Sequence, residues 1–356
     1  MVYYKRSPFL FTSWNEDDKI ILYNYNEFTK ASVSREVMKI VDMLSKWTTV
    51  QEICDKLQIS KKTLTSTLEQ LARLQIIDKN NLANKDPDLR YTKLWDPIDL
   101  AMQRQRSYGG RFSMSERVGK SPSPIKHVKG LSSVTLTKPQ NILQHKFTLM
   151  NILEKRKSIR SYSNKHISID NLSDFLYHSA RIKKIFKSKE GTLTKRPYPS
   201  GGARYPLEIY VANNRISGIQ KGIHYYDPLK HQLILLNKNK NYQKKFNKFV
   251  IRVLYPTLKR EPDAIFIITA VFARTMWKYE KLGLSLILSD LGCLYQTMYL
   301  IATEMELAPC PVGKTDEELV KNWLNLNWFE ESHVGTFMLG VPESVGPKNF
   351  VTNKEK

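Results

Sequence analysis

Lys195-Arg-Pro-Tyr-Pro-Ser-Gly-Gly-Ala-Arg-Tyr-Pro-Leu-Glu208 is the stretch on which the reading of this chain turns. A Pro-Ser-Gly-Gly turn runs straight into an alternating strand, Leu207-Glu-Ile-Tyr-Val211. Two adjacent glycines strip every Cβ from the tip of the turn. That lets bare backbone approach a flat ligand and permits positive φ. Pro199 and Pro206 stiffen the entry and exit. Alone, the segment reads as an ordinary β-turn; its companions along the chain change that.

Upstream, Arg156-Lys-Ser-Ile-Arg-Ser-Tyr162 sets three cations and a hydroxyl within five positions. Arg156, Lys157, Ser158 and Arg160 suit a phosphate through charge-assisted hydrogen bonds, although a solvated basic patch has the same composition. Downstream, the apolar run Ala264-Ile-Phe-Ile-Ile-Thr-Ala-Val271 predicts a buried strand. The polar, aromatic cluster Phe272-Ala-Arg-Thr-Met-Trp-Lys-Tyr-Glu280 sits at its end, a good place for a site. Leu284 to Glu306 predicts a long amphipathic helix, and Ala308-Pro-Cys-Pro-Val-Gly313 a stiff turn.

In this order the segments resemble the nitroreductase-like flavoprotein superfamily, and more narrowly the SagB/McbC-type thiazole/oxazole dehydrogenases of ribosomal peptide biosynthesis. The resemblance runs over residues 145 to 342. It is carried by Arg156–Tyr162, Arg196–Tyr210, Gly222–Pro228, Phe272–Gly283, Leu288–Gly292 and Phe337–Pro342. It implies an α+β nitroreductase-like fold, an intertwined homodimer and FMN as cofactor. It assigns Arg156, Lys157, Ser158 and Arg160 to the phosphate and ribityl chain, with Lys348 near the C-terminus completing that cluster. Ser200, Gly201 and Gly202 match the turn along the flavin ring, and Pro311, Val312 and Gly313 the turn near its reactive nitrogen. Lys278 and Tyr279 match the catalytic pair of the dehydrogenase branch.

The implied reaction turns a thiazoline or oxazoline in a modified precursor peptide into its aromatic azole, removing one proton and one hydride. The proton needs a base within reach. A lysine serves only if desolvated or set near other cations. Met276 and Trp277 are expected to supply apolar surroundings, and Arg274 either the like charge or a grip on a peptide carboxylate. A surface role for Lys278 is the bland alternative in so lysine-rich a chain. No Gly-x-Gly-x-x-Gly fingerprint follows a strand, so a built-in nicotinamide domain is not expected. Two other functions stay open: a generic NAD(P)H-dependent nitroreductase-type oxidoreductase, and a winged-helix regulator carrying a degenerate flavin fold.

Composition bounds the rest. The 356 residues suggest two domains, and 41% hydrophobic with 25% charged residues suit a soluble globular chain. The net charge of +22 favours anionic partners, but the lysines are scattered and form no nucleic-acid stripe. No membrane span or export signal is read, and a cytoplasmic location is expected. Cys54, Cys293 and Cys310 are too far apart for a metal set.

Residues 1–80 are expected to form a winged-helix-like unit. Ile20–Tyr25 reads as a hairpin strand, and Ser34, Thr49 and Ser60 as helix caps. Leu64, Leu68, Leu71 and Leu74 read as one buried face of the third helix. Lys61 and Lys62 open a DNA-binding alternative, but a peptide-binding or structural role is favoured. Residues 81–144 read as a connector with a helix near Pro97–Arg106. Residues 145–346 form the FMN-binding domain with a mixed sheet flanked by helices, and 347–356 a tail. Residues 181–195 read as a lysine-rich mobile surface loop. A sister cyclodehydratase is a further possible partner.

Overall fold

The computed structural model describes residues 2–15, 17, 19–81, 96–108, 120–139, 147–258, 260–314 and 316–343. Lys348 and the expected tail lie outside them. Contacts divide the chain into two compact units, Met1–Ser113 and Met114–Lys356.

The first unit runs β1 (Tyr3–Arg6), β2 (Leu10–Trp14), β3 (Ile20–Asn24), β4 (Thr29–Val33), α1 (Arg35–Met43), β5 (Thr48–Thr49), α2 (Val50–Leu57), α3 (Lys61–Arg73), β6 (Ile77–Asn80) and α4 (Pro97–Tyr108). Its strands make two three-stranded sheets, β5-β1-β6 and β2-β3-β4. The three expected caps are present. Ser34 Oγ accepts from Val37 N, and Ser60 Oγ from Thr63 N. At Thr49 the backbone N–H donates to the Glu52 carboxylate at 2.6 Å while Glu52 N donates back to Thr49 Oγ1, a reciprocal capping box. Leu64, Leu68 and Leu71 enter the core with Ile40, Val41, Leu44 and Ile53. Leu74, expected on the same face, follows the end of α3 and is exposed, because the helix stops at Arg73.

The second unit adds β7 (Ser132–Thr135), α5 (Leu149–Lys155), α6 (Ile169–Ala180), β8 (Lys184–Ser188), β9 (Gly191–Lys195), β10 (Leu207–Asn213), β11 (Gly222–Asp227), β12 (Gln232–Asn237), α7 (Lys240–Leu254), β13 (Ala264–Val271), α8 (Phe272–Tyr279), α9 (Gly283–Glu304), β14 (Ala308–Val312), α10 (Glu317–Leu324) and β15 (Glu331–Gly340). Seven strands form one sheet, β14-β15-β13-β10-β11-β12-β7. Every pairing in it is antiparallel, where a mixed sheet was expected. The α+β class stands.

Both faces of this sheet are covered. Leu207, Ile209, Val211, Phe266, Ile268 and Phe337 pack with Phe175 and Leu176 of α6 and Ile287, Leu294 and Met298 of α9. Tyr210, Tyr225, Ile265, Ile267 and Met338 point the other way, onto Phe246 and Val250 of α7 and Trp323 of α10. Strands buried on two faces need apolar side chains at every position, which is why β13 reads as an unbroken run. Each large side chain buried this way contributes about 1.5–3 kcal/mol.

Three expectations are corrected. Residues 184–195 are the β8–β9 hairpin, not a loop: Leu193 and Thr194 are buried and anchor it. The 308–313 stretch is mostly β14, an edge strand paired only with β15, where Pro309 and Pro311 need no outward N–H partner. And Phe272–Glu304 is long and apolar enough by composition to cross a membrane, with a window of mean hydropathy 1.3. Its Ile287, Leu294 and Met298 are instead core residues of the sheet face.

Candidate functional site

The Pro-Ser-Gly-Gly turn lies directly before β10 as a short 3-10 turn, Gly201–Ala203. Gly202 has φ +60°, and a Cβ there would collide with the Tyr279 hydroxyl. Only glycine serves at this position, because the tyrosine ring lies against bare backbone. α9 clamps the turn. Asp290 accepts from Ser200 Oγ at 2.5 Å and from Gly201 N at 2.9 Å, and Ser200 Oγ in turn accepts from Tyr205 N at 2.9 Å. Asp290 is buried, and burial pushes its carboxyl above the usual range against the lowering pull of those two donors. It is the sole charged residue between 284 and 303, a signal in the sequence that no role was assigned to.

Beneath the turn is a buried ionic lattice. Arg274 Nη1 meets Glu208 at 2.6 Å, and both side chains are almost wholly buried. Arg274 also donates to Ser123 O and Tyr205 O, and its own carbonyl accepts from Arg204 Nε. Arg274 is therefore occupied holding the turn and, almost wholly buried, is not open to a peptide carboxylate. Trp277 lies under the Arg204 guanidinium at 5.0 Å, and Met276 lines a separate cavity. The Lys278 ammonium donates to Glu190 Oε2 at 2.8 Å, 5.6 Å from the Tyr279 ring centre.

The Arg156–Arg160 strip runs along the edge strand β14, with Ile159 N donating to Pro309 O at 2.9 Å. Its extended backbone alternates. Ser158 shares a hydrogen bond with the Tyr299 hydroxyl, and Arg156 lies 5.0 Å from the Tyr299 ring centre. Arg160 and Ser158 border the Cys310 thiol; burial raises that thiol, and Arg160 pulls it back. Lys157 and Ile159 point away, into a cavity of about 390 Å³ with Leu307 and Pro342. The expected four-residue phosphate set is thus split three to one.

Pro311 and Val312 end β14, and no described atom lies within 4 Å of a Cβ built on Gly313. Gly313 borders an apolar cavity of about 600 Å³ shared with Phe272, Met276, Leu284, Leu288 and Phe329.

Two half-sites result, and α9 stands between them. Asp290 holds the Ser200–Gly202 turn, while Tyr299 meets Arg156 and Ser158. These helix positions are nine residues apart, about 14 Å along the axis and about 180° around it. Leu284 and Leu288, beside Gly313, lie on roughly the Tyr299 side. The chain thus sets Pro311–Gly313 on the side of Arg156, Ser158 and Arg160, and sets Tyr279, with Lys278 beside it, against Gly202. No group of three or more metal-ligating side chains occurs among the described residues. The donor set does fit a flavin phosphate: a bare glycine face with open space before Gly313, and cations with a hydroxyl on one strip.

A family model for the nitroreductase family matches residues 153–341. A protein named as a nitroreductase from Methanocaldococcus jannaschii is 26% identical over 179 residues, covering 50% of this chain and 84% of its own. The microcin B17-processing protein McbC of Escherichia coli is 24% identical over 261 residues, covering 66% of this chain and 88% of its own. The Escherichia coli microcin synthetase McbBCD complex with truncated pro-MccB17 bound contains a chain of TM-score 0.44 and 20% identity, covering 73% of this chain and 99% of that one.

Proposed function

This chain belongs to the nitroreductase family, with a SagB/McbC-type likeness, and from that premise we propose that it is an FMN-dependent dehydrogenase oxidising azolines to azoles in a ribosomally made, modified peptide. The observation that carries this reading is Tyr279 set against the Gly202 backbone, with the Lys278 nitrogen 5.6 Å from its ring centre, at the turn the family pattern assigns to the flavin ring. The likeness to McbC, a microcin B17-processing protein, favours a peptide substrate over a small electrophile.

Arg156, Ser158 and Arg160 would hold the phosphate, and Ser200–Gly202 and Pro311–Gly313 the ring. Bound FMN would accept the hydride leaving the azoline and hand the electrons to dioxygen. Tyr279 lines the bare turn and would orient the azoline ring by its hydroxyl. The Lys278 nitrogen lies beside Tyr279 and would take the ring proton after losing one of its own to water, with the Glu190 carboxylate as its fixed hydrogen-bond partner. The buried Arg274–Glu208 pair and Asp290 would keep this backbone from moving as substrate enters.

The separation of the half-sites by α9 favours a homodimer. In it, Arg156, Ser158, Arg160 and Pro311–Gly313 of one copy would face Ser200–Gly202, Lys278 and Tyr279 of the other. We place the enzyme in the cytoplasm with its precursor peptide and a cyclodehydratase that makes the azolines, and assign the first unit to peptide binding or assembly. The test is a peptide already carrying a thiazoline, incubated with the purified yellow protein in air. The expected result is a loss of two hydrogens per ring by mass spectrometry. NAD(P)H oxidation with no change in the peptide would replace this reading with a generic nitroreductase.

A further inference from the structure

We propose that Glu190, at the tip of the β8–β9 hairpin, is a positioning residue that holds the Lys278 amine beside Tyr279 and the Ser200–Gly202 turn. The inference rests on the reading of Lys278 and Tyr279 as the proton-handling pair. Between residues 181 and 195 there are six cations and one acid, Glu190. A segment of that composition has little reason to order itself, because its lysines repel one another and gain nothing by leaving water. It is nonetheless a hairpin in register from Lys184–Lys195 to Ser188–Gly191, anchored by buried Leu193 and Thr194.

The tip is fixed by its own bonds. Ser188 Oγ accepts from Glu190 N at 3.1 Å and donates to Gly191 O at 3.0 Å. Gly191 has φ +106°, and a Cβ there would come within 3.2 Å of Ser121, so the turn also relies on glycine. This geometry sends the one acid to Lys278, at 2.8 Å, with both side chains about three-quarters covered. A lysine stem has four freely rotating bonds, and a base that wanders loses rate steeply. One carboxylate accepting one N–H fixes the nitrogen; as the neutral amine it would keep one further N–H for another partner and its lone pair for the ring proton. The hairpin thereby brings an acid to Lys278, while the nearby Glu208 is paired with Arg274.

The experiment combines two readouts on the full-length flavoprotein. The first is trace acetylation with acetic anhydride, reading Lys278 by peptide mass spectrometry without any turnover. Glu190→Gln should raise Lys278 labelling about two- to fivefold, the strength of a partly covered ion pair. The second is oxidation of a synthetic peptide carrying one thiazoline. There Glu190→Gln should lower kcat about tenfold or more with KM unchanged, and Glu190→Asp should recover part of it. Wild-type labelling in Glu190→Gln overturns the pair, and wild-type kcat overturns the positioning role. Lys278→Ala separates the two readings. If it retains full turnover, the proton-handling assignment fails; if it is dead while Glu190→Gln is fully active, only the present inference fails.

Discussion

Replacing Asp290 by alanine tests whether the glycine turn is held for a ligand or merely folded. The carboxylate is buried and accepts two bonds, at 2.5 Å from Ser200 Oγ and 2.9 Å from Gly201 N. Hydrogen bonds to a charged group contribute about 1.5–3 kcal/mol each. Two opposing effects reduce that sum: the tie from Tyr205 N to Ser200 Oγ survives, and the buried carboxylate takes its own desolvation cost with it. A net loss of about 2–3 kcal/mol is expected, and if the turn lies along the flavin ring, FMN affinity falls about 30- to 150-fold. The assay is titration of the apoprotein with FMN by fluorescence quenching, with far-ultraviolet circular dichroism as the control for folding.

Asp290→Asn should be milder, since its carbonyl can still accept from Gly201 N while its amide reaches Ser200. Its cost should vary with pH in a definite sense. Burial raises the folded-state value of Asp290, so the wild type carries the expense of the ionised form at neutral pH and is freed of it as pH falls through that raised value. Asparagine gains nothing from acid, so the penalty of Asp290→Asn is smallest near pH 7 and grows below it. A folded Asp290→Ala protein that binds FMN with wild-type affinity would refute the assignment of the turn to the ring.

Three further outcomes are expected. Lys278→Ala and Tyr279→Phe should retain FMN by visible absorbance yet slow azole formation, the lysine change by about 10²–10⁴-fold and the tyrosine change by less. Arg156→Ala with Arg160→Ala should strip the flavin, yet refolding that variant together with Lys278→Ala should restore azole formation through hybrid dimers; no recovery counts against a site shared between copies. His231 and His333 are both held neutral by burial, each pushed down to about 4. With folded values below the unfolded one near 6.5, stability is whole above that pH and falls toward 4, by about 1.4 kcal/mol per histidine per pH unit. A Tm unchanged between pH 7 and 4.5 would contradict that.

What the sequence made legible is what local chemistry dictates. Ser34, Thr49 and Ser60 cap their helices because a side-chain oxygen before an amphipathic run has one good use. Gly202 takes the positive φ that a Ser-Gly-Gly tip suggests, and β10, β11, β12, β13 and β15 fall where alternating or unbroken apolar runs lie. The misses share a cause: the partner that decides the outcome is far along the chain. Pro309 and Pro311 read as turn residues until β14 is known to have β15 on one side and no strand on the other among the described residues. Arg274 reads as available to substrate because Glu208, its partner, lies 66 positions away inside a mostly apolar strand. The lysines of β8 hide a hairpin whose anchors are one apolar residue, Leu193, and the buried Thr194 beside it.

The motif order along the chain also conceals how the site is divided. Six segments in sequence suggest one cleft, but α9 turns Asp290 and Tyr299 to opposite sides, and each brings its own half-site with it. On the proposed reading, a flavin touching both half-sites would lie where two copies of the chain meet. The exposed apolar side chains Leu284, Leu288, Trp328 and Phe329 around the 600 Å³ cavity then have a use, since the side of the chain that opens Gly313 to a ring is the one that would receive the turn of a second copy. On this argument FMN binding and dimer formation are one equilibrium. Dilution to monomer should release the flavin, and added FMN should shift the monomer–dimer balance toward dimer by the same free energy. A monomer that keeps its FMN at nanomolar concentration would break that linkage and return both half-sites to a single chain.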